Sequence, residues 1–431
     1  MNKETSPFLN VVLTIARIVF GVTFIFSGFV KAVDPMGFCY KIEDYLISFQ
    51  LVQLLPMALA FAIVLIVVEF VIGVSILLGI YRRMSTSIAV LFMLVMTPFT
   101  LYIALNNPVE DCGCFGDALI ISNWNTFYKN IVLLVFALIL LVYHQKIKPF
   151  FSKKMKPIAF TFVFIFGLAL CIYNIMYLPI LDFRPYHVGV NIPEQMEADK
   201  AHGDVYENIY VYEKDGVQQE FTEENFPWED STWTFVDLKL ELVKEGEDPK
   251  IKDFIIIGYN QDADGSFIPT DDITLDVLSC RMSLLVVSLS LDDANEKSLR
   301  EVHALADFAI KNYIDIYVLT ASNGDVVKKW NDKLGGIYLN YATMDELTLK
   351  TIIRSNPGLL LLKEGKIVAK WSSRNVPDKS ELTNLITETE SEGAKSPFNK
   401  SASNLLIVCL LFLLPLLGMK WYDKRAFSGN K

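Results

Sequence analysis

The stretch LLPMALAFAIVLIVVEFVIGVSILLGIYRR, residues 54–83, is apolar almost throughout and ends in two arginines. A helix needs about 20 apolar residues to cross the hydrocarbon core of a bilayer. The stretch is long enough, and Glu69 is the one charged residue before its final arginines. It therefore predicts a transmembrane helix and places the chain among membrane proteins.

Five further apolar runs indicate five more spans. Four of them lie with the 54–83 stretch in the N-terminal part, where that stretch is the second span in chain order. The chain is polar from about residue 182 to about residue 402 and shows no run of spanning length there. A hydrophobic content of 52% combined with a net charge of −10 agrees with a membrane part joined to an acidic soluble part. The five runs are Phe8–Val33, Ser87–Leu105, Tyr128–His144, Pro157–Leu178 and Ser403–Trp421.

Lysine and arginine residues in short loops indicate the cytoplasmic side of a membrane protein. Arg82 and Arg83 follow the second span, the lysine-rich stretch HQKIKPFFSKKMK (residues 144–156) follows the fourth, and a basic tail follows the sixth. All three fall on one side if every run crosses. We therefore expect a multi-pass inner-membrane protein with both termini in the cytoplasm and the large soluble segment outside it.

The loop between the third and fourth spans holds two cysteines separated by one glycine, Cys112 and Cys114. They fall on the predicted outer side, where disulfides persist. A bridge between residues two apart closes a small ring far from preferred geometry and is easily reduced, whereas a stabilising bridge closes a long loop. We therefore favour thiol–disulfide exchange. A structural disulfide and a metal site are the alternatives, although two cysteines supply too few ligands for zinc.

Cys39 lies just past the first span on the same predicted side, and it is a candidate third sulfur for the pair. Exchange proceeds through a mixed disulfide, so a further thiol can pass electrons on. The acidic residues Glu110, Asp111 and Asp117 act against reactivity, because nearby negative charge raises the pKa of a thiol. We expect a pair of modest reactivity, with Cys112, Cys114 and Cys39 as candidate catalytic residues and no metal ligands.

Two charged residues stand inside predicted spans, Arg17 in the first and Glu69 in the second. Charges at such positions are rare and are usually paired or functional. With a rise of about 1.5 Å per residue the two fall at similar depth. They predict either an intramembrane ion pair or a proton or quinone site. The sequence requires no cofactor, and a quinone held near Glu69 and Arg17 is the cofactor that this second alternative implies.

Residues 283–392 alternate between strand and helix patterns. SLLVVSLSL indicates a buried strand, an amphipathic helix follows, and NPGLLLLKEGKIVAKW predicts two strands joined at Glu364–Gly365. In element order, and in Pro357 just before the hairpin, the segment resembles thioredoxins, which implies a cis bond at Asn356–Pro357. Where thioredoxins carry Cys-x-x-Cys, this chain has LDDANEKS (residues 291–298). The resemblance implies a thioredoxin-like fold without a dithiol of its own.

The N-terminal region resembles the DoxX and MauE families over about residues 8–145. The resemblance rests on RIVFGVTFIFSGFVKAVDPMGF (Arg17–Phe38), VEFVIGVSILLGIYRR (Val68–Arg83) and DCGCFGD (Asp111–Asp117). These families are four-helix membrane proteins. DoxX is associated with quinone-linked sulfur chemistry, and MauE with the maturation of a disulfide-rich periplasmic enzyme subunit. The resemblance therefore implies thiol or redox chemistry outside the cytoplasm.

These features predict an α-helical membrane bundle joined to an α/β thioredoxin-like extracytoplasmic domain. The expected parts are a four-helix DoxX/MauE-like region, a fifth span, a β-rich segment, the thioredoxin-like domain, and a linker with the sixth span and a basic tail. In the same order, they cover residues 1–150, 151–182, 183–282, 283–392 and 393–431.

The predicted function is thiol–disulfide exchange or redox maturation of exported proteins through the Cys-Gly-Cys loop, as a thiol–disulfide or quinone-linked oxidoreductase. The alternative is a non-catalytic membrane scaffold or assembly factor whose thioredoxin-like domain binds partners. Membrane lipid and thiol-containing client proteins are the expected partners, and nucleic acid is not. The sequence specifies neither an oligomeric state nor a role for Cys280.

Overall fold

The computed structural model describes residues 7–109, 112–197, 205–214, 216–222, 225, 232–244, 249–334, 339–390 and 397–427. They form a helical bundle with an α/β domain at one of its ends. Six helices of the described part are long and apolar enough to cross a membrane, and they lie where the sequence predicts them. The protein is a multi-pass membrane protein.

The N-terminal part is built from five long helices and one shorter helix. The shorter helix begins after Asp34, whose carboxylate accepts a 2.9 Å hydrogen bond from the Gly37 N–H, and Pro35 stands in its first turn. The helices are α1 (Pro7–Val33), α2 (Pro35–Ser48), α3 (Ala58–Leu78), α4 (Arg82–Asn106), α5 (Asn123–Val142) and α6 (Lys156–Met176).

The remaining elements build the soluble part and the last helix. In chain order they are α7 (Ile192–Met196), β1 (Val205–Lys214), β2 (Val217–Phe221), β3 (Thr234–Lys244), β4 (Ile257–Gln261), β5 (Phe267–Asp272), α8 (Thr274–Ser279), β6 (Ser283–Ser288), α9 (Glu296–Lys311), β7 (Asp315–Thr320), α10 (Gly324–Lys333), β8 (Asn340–Thr343), α11 (Glu346–Ile352), β9 (Gly358–Lys363), β10 (Lys366–Ser372), α12 (Lys379–Glu390) and α13 (Pro397–Phe427).

The main sheet has the strand order β10-β9-β6-β7-β8-β4-β5. Strands β6, β7 and β8 are parallel, whereas β9 pairs antiparallel with β6 and with β10. Every residue of β6 is buried, because helices cover both faces of the sheet. The Asn356–Pro357 bond before β9 is cis, as predicted. This order of elements around a cis-proline makes the domain thioredoxin-like.

The sheet of the thioredoxin-like domain begins before residue 283, where the sequence analysis placed the start of the domain. Strand β4 pairs with β8, with Ile257 opposite Thr343, and it brings β5 into the same sheet. Farther back, Asn191 bridges to Lys366. Strand β8 would otherwise leave an unpaired edge, so residues assigned to a separate β-rich segment complete the thioredoxin-like sheet. Strands β1, β2 and β3 form a sheet of their own.

Helices α1 and α3 approach closely at glycines. A Cβ added to Gly28 would lie 2.7 Å from the backbone nitrogen of Phe70, and one added to Gly73 would lie 2.7 Å from the backbone nitrogen of Ile25. The hydrophobic effect does not drive helices together inside lipid, so close van der Waals contacts at small residues contribute much of the stability of helix packing. The two glycines therefore fix how α1 is placed along α3.

The basic loops meet at one end of the bundle. Arg82 donates hydrogen bonds to the carbonyl oxygens of Gln145 and Ile147, and the Ser152 N–H donates to the Asp423 carboxylate near the end of α13. The soluble domain and the cysteine loop lie at the opposite end. The grouping of basic loops expected from the sequence is therefore present in the fold.

A test of the helix packing is Gly28→Ala. The added methyl group must displace the α3 backbone, and overpacking of this kind costs about 1–3 kcal/mol, so we expect a lower midpoint of thermal unfolding in detergent micelles. Gly418→Ala is the matched control, because a Cβ at Gly418 meets nothing within 4 Å. Equal midpoints for the two variants would contradict the close α1–α3 contact.

Candidate functional site

The Cys-Gly-Cys loop brings its two thiols into contact. The Sγ atoms of Cys112 and Cys114 lie 3.1 Å apart, and both cysteines are free thiols. Gly113 has a φ of +65°, a conformation that only glycine adopts readily. The side chains face inward, and the two cysteines are 5% and 9% exposed. The turn at Gly113 thus produces the close pair that exchange requires, but away from open solvent.

Helices α1 and α2 hold the backbone of this loop. The Ser27 hydroxyl on α1 donates a 2.7 Å hydrogen bond to the carbonyl oxygen of Cys114. The Tyr45 hydroxyl on α2 donates a 3.1 Å hydrogen bond to the carbonyl oxygen of Cys112, and the Tyr45 ring packs edge-on against Phe99. The position of the thiols is therefore set by two helices and does not depend on the loop alone.

The two thiols have different acidities. A hydrogen bond from Cys112 is the main cause that lowers the pKa of Cys114 to about 6; burial opposes this shift, and the positive charges of Lys129 and Lys31 add to it. The same hydrogen bond, together with burial, raises the pKa of Cys112. This difference in pKa favours Cys114 as the thiolate and Cys112 as its protonated partner.

The expected effect of the nearby acids on the reactivity of the pair stays a prediction. Glu110 and Asp111 lie outside the described residues. Asp117 lies 3.7 Å from the guanidinium group of Arg354. Lys129 on α5 reaches back to the loop, and its ammonium group lies 4.3 Å from the centre of the Phe115 ring. Lys129 and Lys31 lower the pKa of Cys114, and the Glu69 carboxylate acts in the opposite direction.

Cys39 belongs to a different buried cluster from the pair. It packs with Ile42 and Ala58, whereas Cys112 and Cys114 pack with Tyr45. Burial, reinforced by the hydrogen-bonded Glu43, raises the pKa of Cys39 to about 12. No contact recorded among the described residues joins Cys39 to the pair. A direct relay through Cys39 therefore requires α2 to move.

The predicted pairing of Arg17 with Glu69 is wrong. Glu69 Oε2 lies 2.7 Å from Lys31 Nζ, and both side chains are buried. Arg17 instead donates hydrogen bonds to the carbonyl oxygens of Ile76 and Leu77. The prediction assumed that the ends of α1 and α3 are level. The glycine contacts shift α1 along α3, so Arg17 meets the last turn of α3 and Lys31 reaches Glu69.

This geometry does not fit a quinone site shared by Arg17 and Glu69. Arg17 donates hydrogen bonds to backbone carbonyl oxygens near one end of the bundle, and the Glu69 carboxylate pairs with Lys31 nearer the other end. A cleft of about 680 Å³ beside α9 lies away from both residues. The quinone itself stays a prediction, without a site formed by these two residues.

Polar groups occupy the place where thioredoxins carry their dithiol. The Ser288 hydroxyl donates a 2.7 Å hydrogen bond to the Asn356 side-chain oxygen, and the Asn356 side-chain nitrogen donates a 2.8 Å hydrogen bond to the Ser290 carbonyl oxygen. Asn295 caps α9 at the same place. Cys280 precedes β6, at the opposite end of that strand, so the domain has no thiol at the usual site.

Residues 9–143 match the family model described as methylamine utilisation protein MauE. The membrane region is MauE-like. Residues 206–245, which lie within the segment of β1, β2 and β3, match a domain of unknown function (DUF8463). No curated protein is significantly similar to the chain. The MauE-like region contains the cysteine pair, Lys31, Glu69 and Lys129.

Several solved structures are similar to the thioredoxin-like part. They include a thioredoxin domain of a thiol-disulfide oxidoreductase from Bacteroides vulgatus (18% identity, 31% of this chain, 92% of that chain, TM-score 0.23) and a thiol:disulfide interchange protein from Bacteroides sp. (18%, 33%, 90%, TM-score 0.23). A thioredoxin-like protein from Aeropyrum pernix is also similar (12%, 32%, 89%, TM-score 0.24). The sheet order and the cis-proline identify the fold in this chain.

The acidity of Cys114 can be tested by its alkylation rate as a function of pH. We expect the rate to rise with a midpoint near pH 6, whereas an ordinary thiol titrates at about pH 8.5. Cys112→Ala should move the midpoint upward, because it removes the main stabilising hydrogen bond. Lys129→Gln should move it upward by less, and Lys146→Gln, at the other end of the bundle, should leave it unchanged. A wild-type midpoint at the ordinary thiol value would contradict the assigned thiolate.

Proposed function

We propose that the Cys112–Cys114 pair is a thiol–disulfide exchange centre on the extracytoplasmic side of the membrane, acting on the thiols of exported client proteins. The observation that carries the proposal is the contact between two free thiols, 3.1 Å apart, at the end of the bundle opposite the basic loops. The distribution of lysine and arginine supports the assignment of that end to the outside.

The charges around the pair favour its disulfide form as an acceptor of electrons from client thiols. Lys31 and Lys129 stabilise the Cys114 thiolate and therefore the reduced form of the pair. A couple whose reduced form is stabilised is oxidising. The small ring of a Cys112–Cys114 disulfide acts in the same direction, because a constrained bridge is easier to reduce. In its disulfide form the pair should therefore oxidise client dithiols.

The exchange balances within the pair and the client. A client thiolate attacks Sγ of Cys112, the bond between Cys112 and Cys114 breaks, and Cys114 leaves as a thiolate. Its low pKa makes it the better leaving group. A second client thiolate then attacks the client sulfur of the mixed disulfide and releases Cys112, which takes up a proton. The client dithiol becomes a disulfide, the pair gains two electrons, and one client proton is released to solvent.

A scaffold is the second candidate function. Two observations favour a scaffold: polar groups around Asn356 stand in place of a dithiol, and the Cys112–Cys114 pair is buried. In this alternative the thioredoxin-like domain binds partners and the cysteine loop is structural. Serine at both loop positions would then lower stability and leave the redox state of exported proteins unchanged.

Trapping discriminates between the two functions. In Cys114→Ala, Cys112 can still attack the disulfide of an oxidised client in the reverse reaction, but Cys114 is no longer there to displace the client from Cys112. We therefore expect client adducts at Cys112 in membranes prepared under acid quench and analysed by mass spectrometry. Cys280→Ala is the matched control and should give no trapped adducts. The exchange function fails if Cys114→Ala gives no adducts and thiol labelling shows the wild-type pair permanently oxidised.

A further inference from the structure

Arg354 joins the soluble domain to the region around the cysteine pair. It lies between α11 and the cis-Pro357 bond, and its side chain is 7% exposed. Its guanidinium group donates hydrogen bonds of 3.0, 3.0 and 2.8 Å to the two carboxylate oxygens of Asp34. The same group lies 3.7 Å from Asp117, three residues after Cys114. One side chain therefore contacts both the start of α2 and the cysteine loop.

Helix α2 lies between the soluble domain and the cysteine loop. On one side, Tyr45 holds the Cys112 carbonyl oxygen, and a Cβ on Gly113 would lie 3.2 Å from the Lys41 side chain. On the other side, the Tyr40 ring lies 4.9 Å from the Lys350 ammonium group and 5.3 Å from the Arg354 guanidinium group. A displacement of the soluble domain from the bundle would thus act on α2 and through it on the loop.

The burial of the pair conflicts with exchange unless the site opens. A client thiolate must reach a sulfur atom in line with the disulfide bond, yet Cys112 and Cys114 are 5% and 9% exposed. Tyr45 of α2 and Ile103 of α4 pack against the pair, and Arg354 contacts the start of α2 and the cysteine loop. We propose that Arg354 is a latch, and that its release from Asp34 and Asp117 lifts α2 and opens the cysteine loop to client thiols. This inference rests on the proposed function of the pair.

The two arms of the latch differ in strength. Asp34 is 19% exposed and is engaged bidentately, a geometry that makes arginine–carboxylate pairs strong. Burial opposes the ionisation of Asp34, but Arg354 and Arg184 outweigh it and lower its pKa. Asp117 is 43% exposed and its contact is longer, so that arm is weak. Losing the Asp117 arm should loosen the loop alone, and losing Arg354 should loosen both the loop and α2.

Alkylation of reduced protein in nanodiscs at one fixed pH, followed by mass spectrometry, tests the latch when the labelling rate of each cysteine is compared with its own rate in the wild type. In Arg354→Ala we expect the labelling rate of Cys112 and Cys114 to rise by about tenfold or more, because breaking a buried pair is costly. Cys39 on α2 should become more reactive as well. In Asp117→Asn the pair should label faster while Cys39 stays protected. Arg374→Ala, an exposed arginine of the same domain, should behave as wild type.

Labelling of the pair at the wild-type rate in both Arg354→Ala and Asp117→Asn would overturn the latch. Cys171, buried in α6, reports on folding in the same samples. If Arg354→Ala exposes Cys171, the bundle is disrupted, and Asp34→Asn decides the outcome: it removes the charge of the strong arm but keeps a side-chain oxygen that can accept from the Gly37 N–H. The assay needs no client, so it separates the two proposals: faster labelling without trapped client adducts supports the latch and rejects exchange, and trapped adducts without faster labelling do the reverse.

Discussion

The placement of α1 along α3 is the constraint on which the site depends. Two glycines bring the helix backbones together, and the register that results puts Lys31 against Glu69 and Ser27 against the Cys114 carbonyl oxygen. A shift of one turn would leave two buried charges unpaired, which is costly inside a membrane. The contact between α1 and α3 therefore determines where the charged groups of Lys31 and Glu69 lie relative to the thiols.

The asymmetry of the thiols follows from this arrangement. The loop turn at Gly113 sets the two sulfurs in contact, and the hydrogen bond from Cys112 is the main cause that lowers the pKa of Cys114. Lysines on α1 and α5 add to this shift, so Cys112 becomes the proton donor. A thiolate held by fixed cations favours the reduced pair, and that preference gives the proposed exchange its direction.

Local patterns in the sequence predict much of this protein and long-range contacts explain the rest. Apolar length predicts the six spans, and element order with Pro357 predicts the thioredoxin-like fold and its cis bond. Lys31 escapes notice because a lysine at a helix end is typical of any membrane span. The prediction that Arg17 pairs with Glu69 depends on the assumption that the ends of α1 and α3 are level. Strands β4 and β5 join the main sheet through β8, a contact that no local pattern contains.

The thioredoxin-like domain has no thiol at the usual dithiol site, and it contacts the membrane region close to the Cys112–Cys114 pair. Its Arg354, near the cis-proline, binds the start of α2, and α2 holds the cysteine loop. Under the two proposals, the redox chemistry takes place in the MauE-like region, and the soluble domain controls the access of client thiols to the cysteine pair.

The most direct test of the central claim is to equilibrate the purified protein with glutathione buffers of graded redox potential and to quantify the Cys112–Cys114 peptide by mass spectrometry. The account predicts a reversible two-electron transition between dithiol and disulfide, at a potential more oxidising than that of structural disulfides. A pair that remains oxidised, or remains reduced, across the whole series would contradict it.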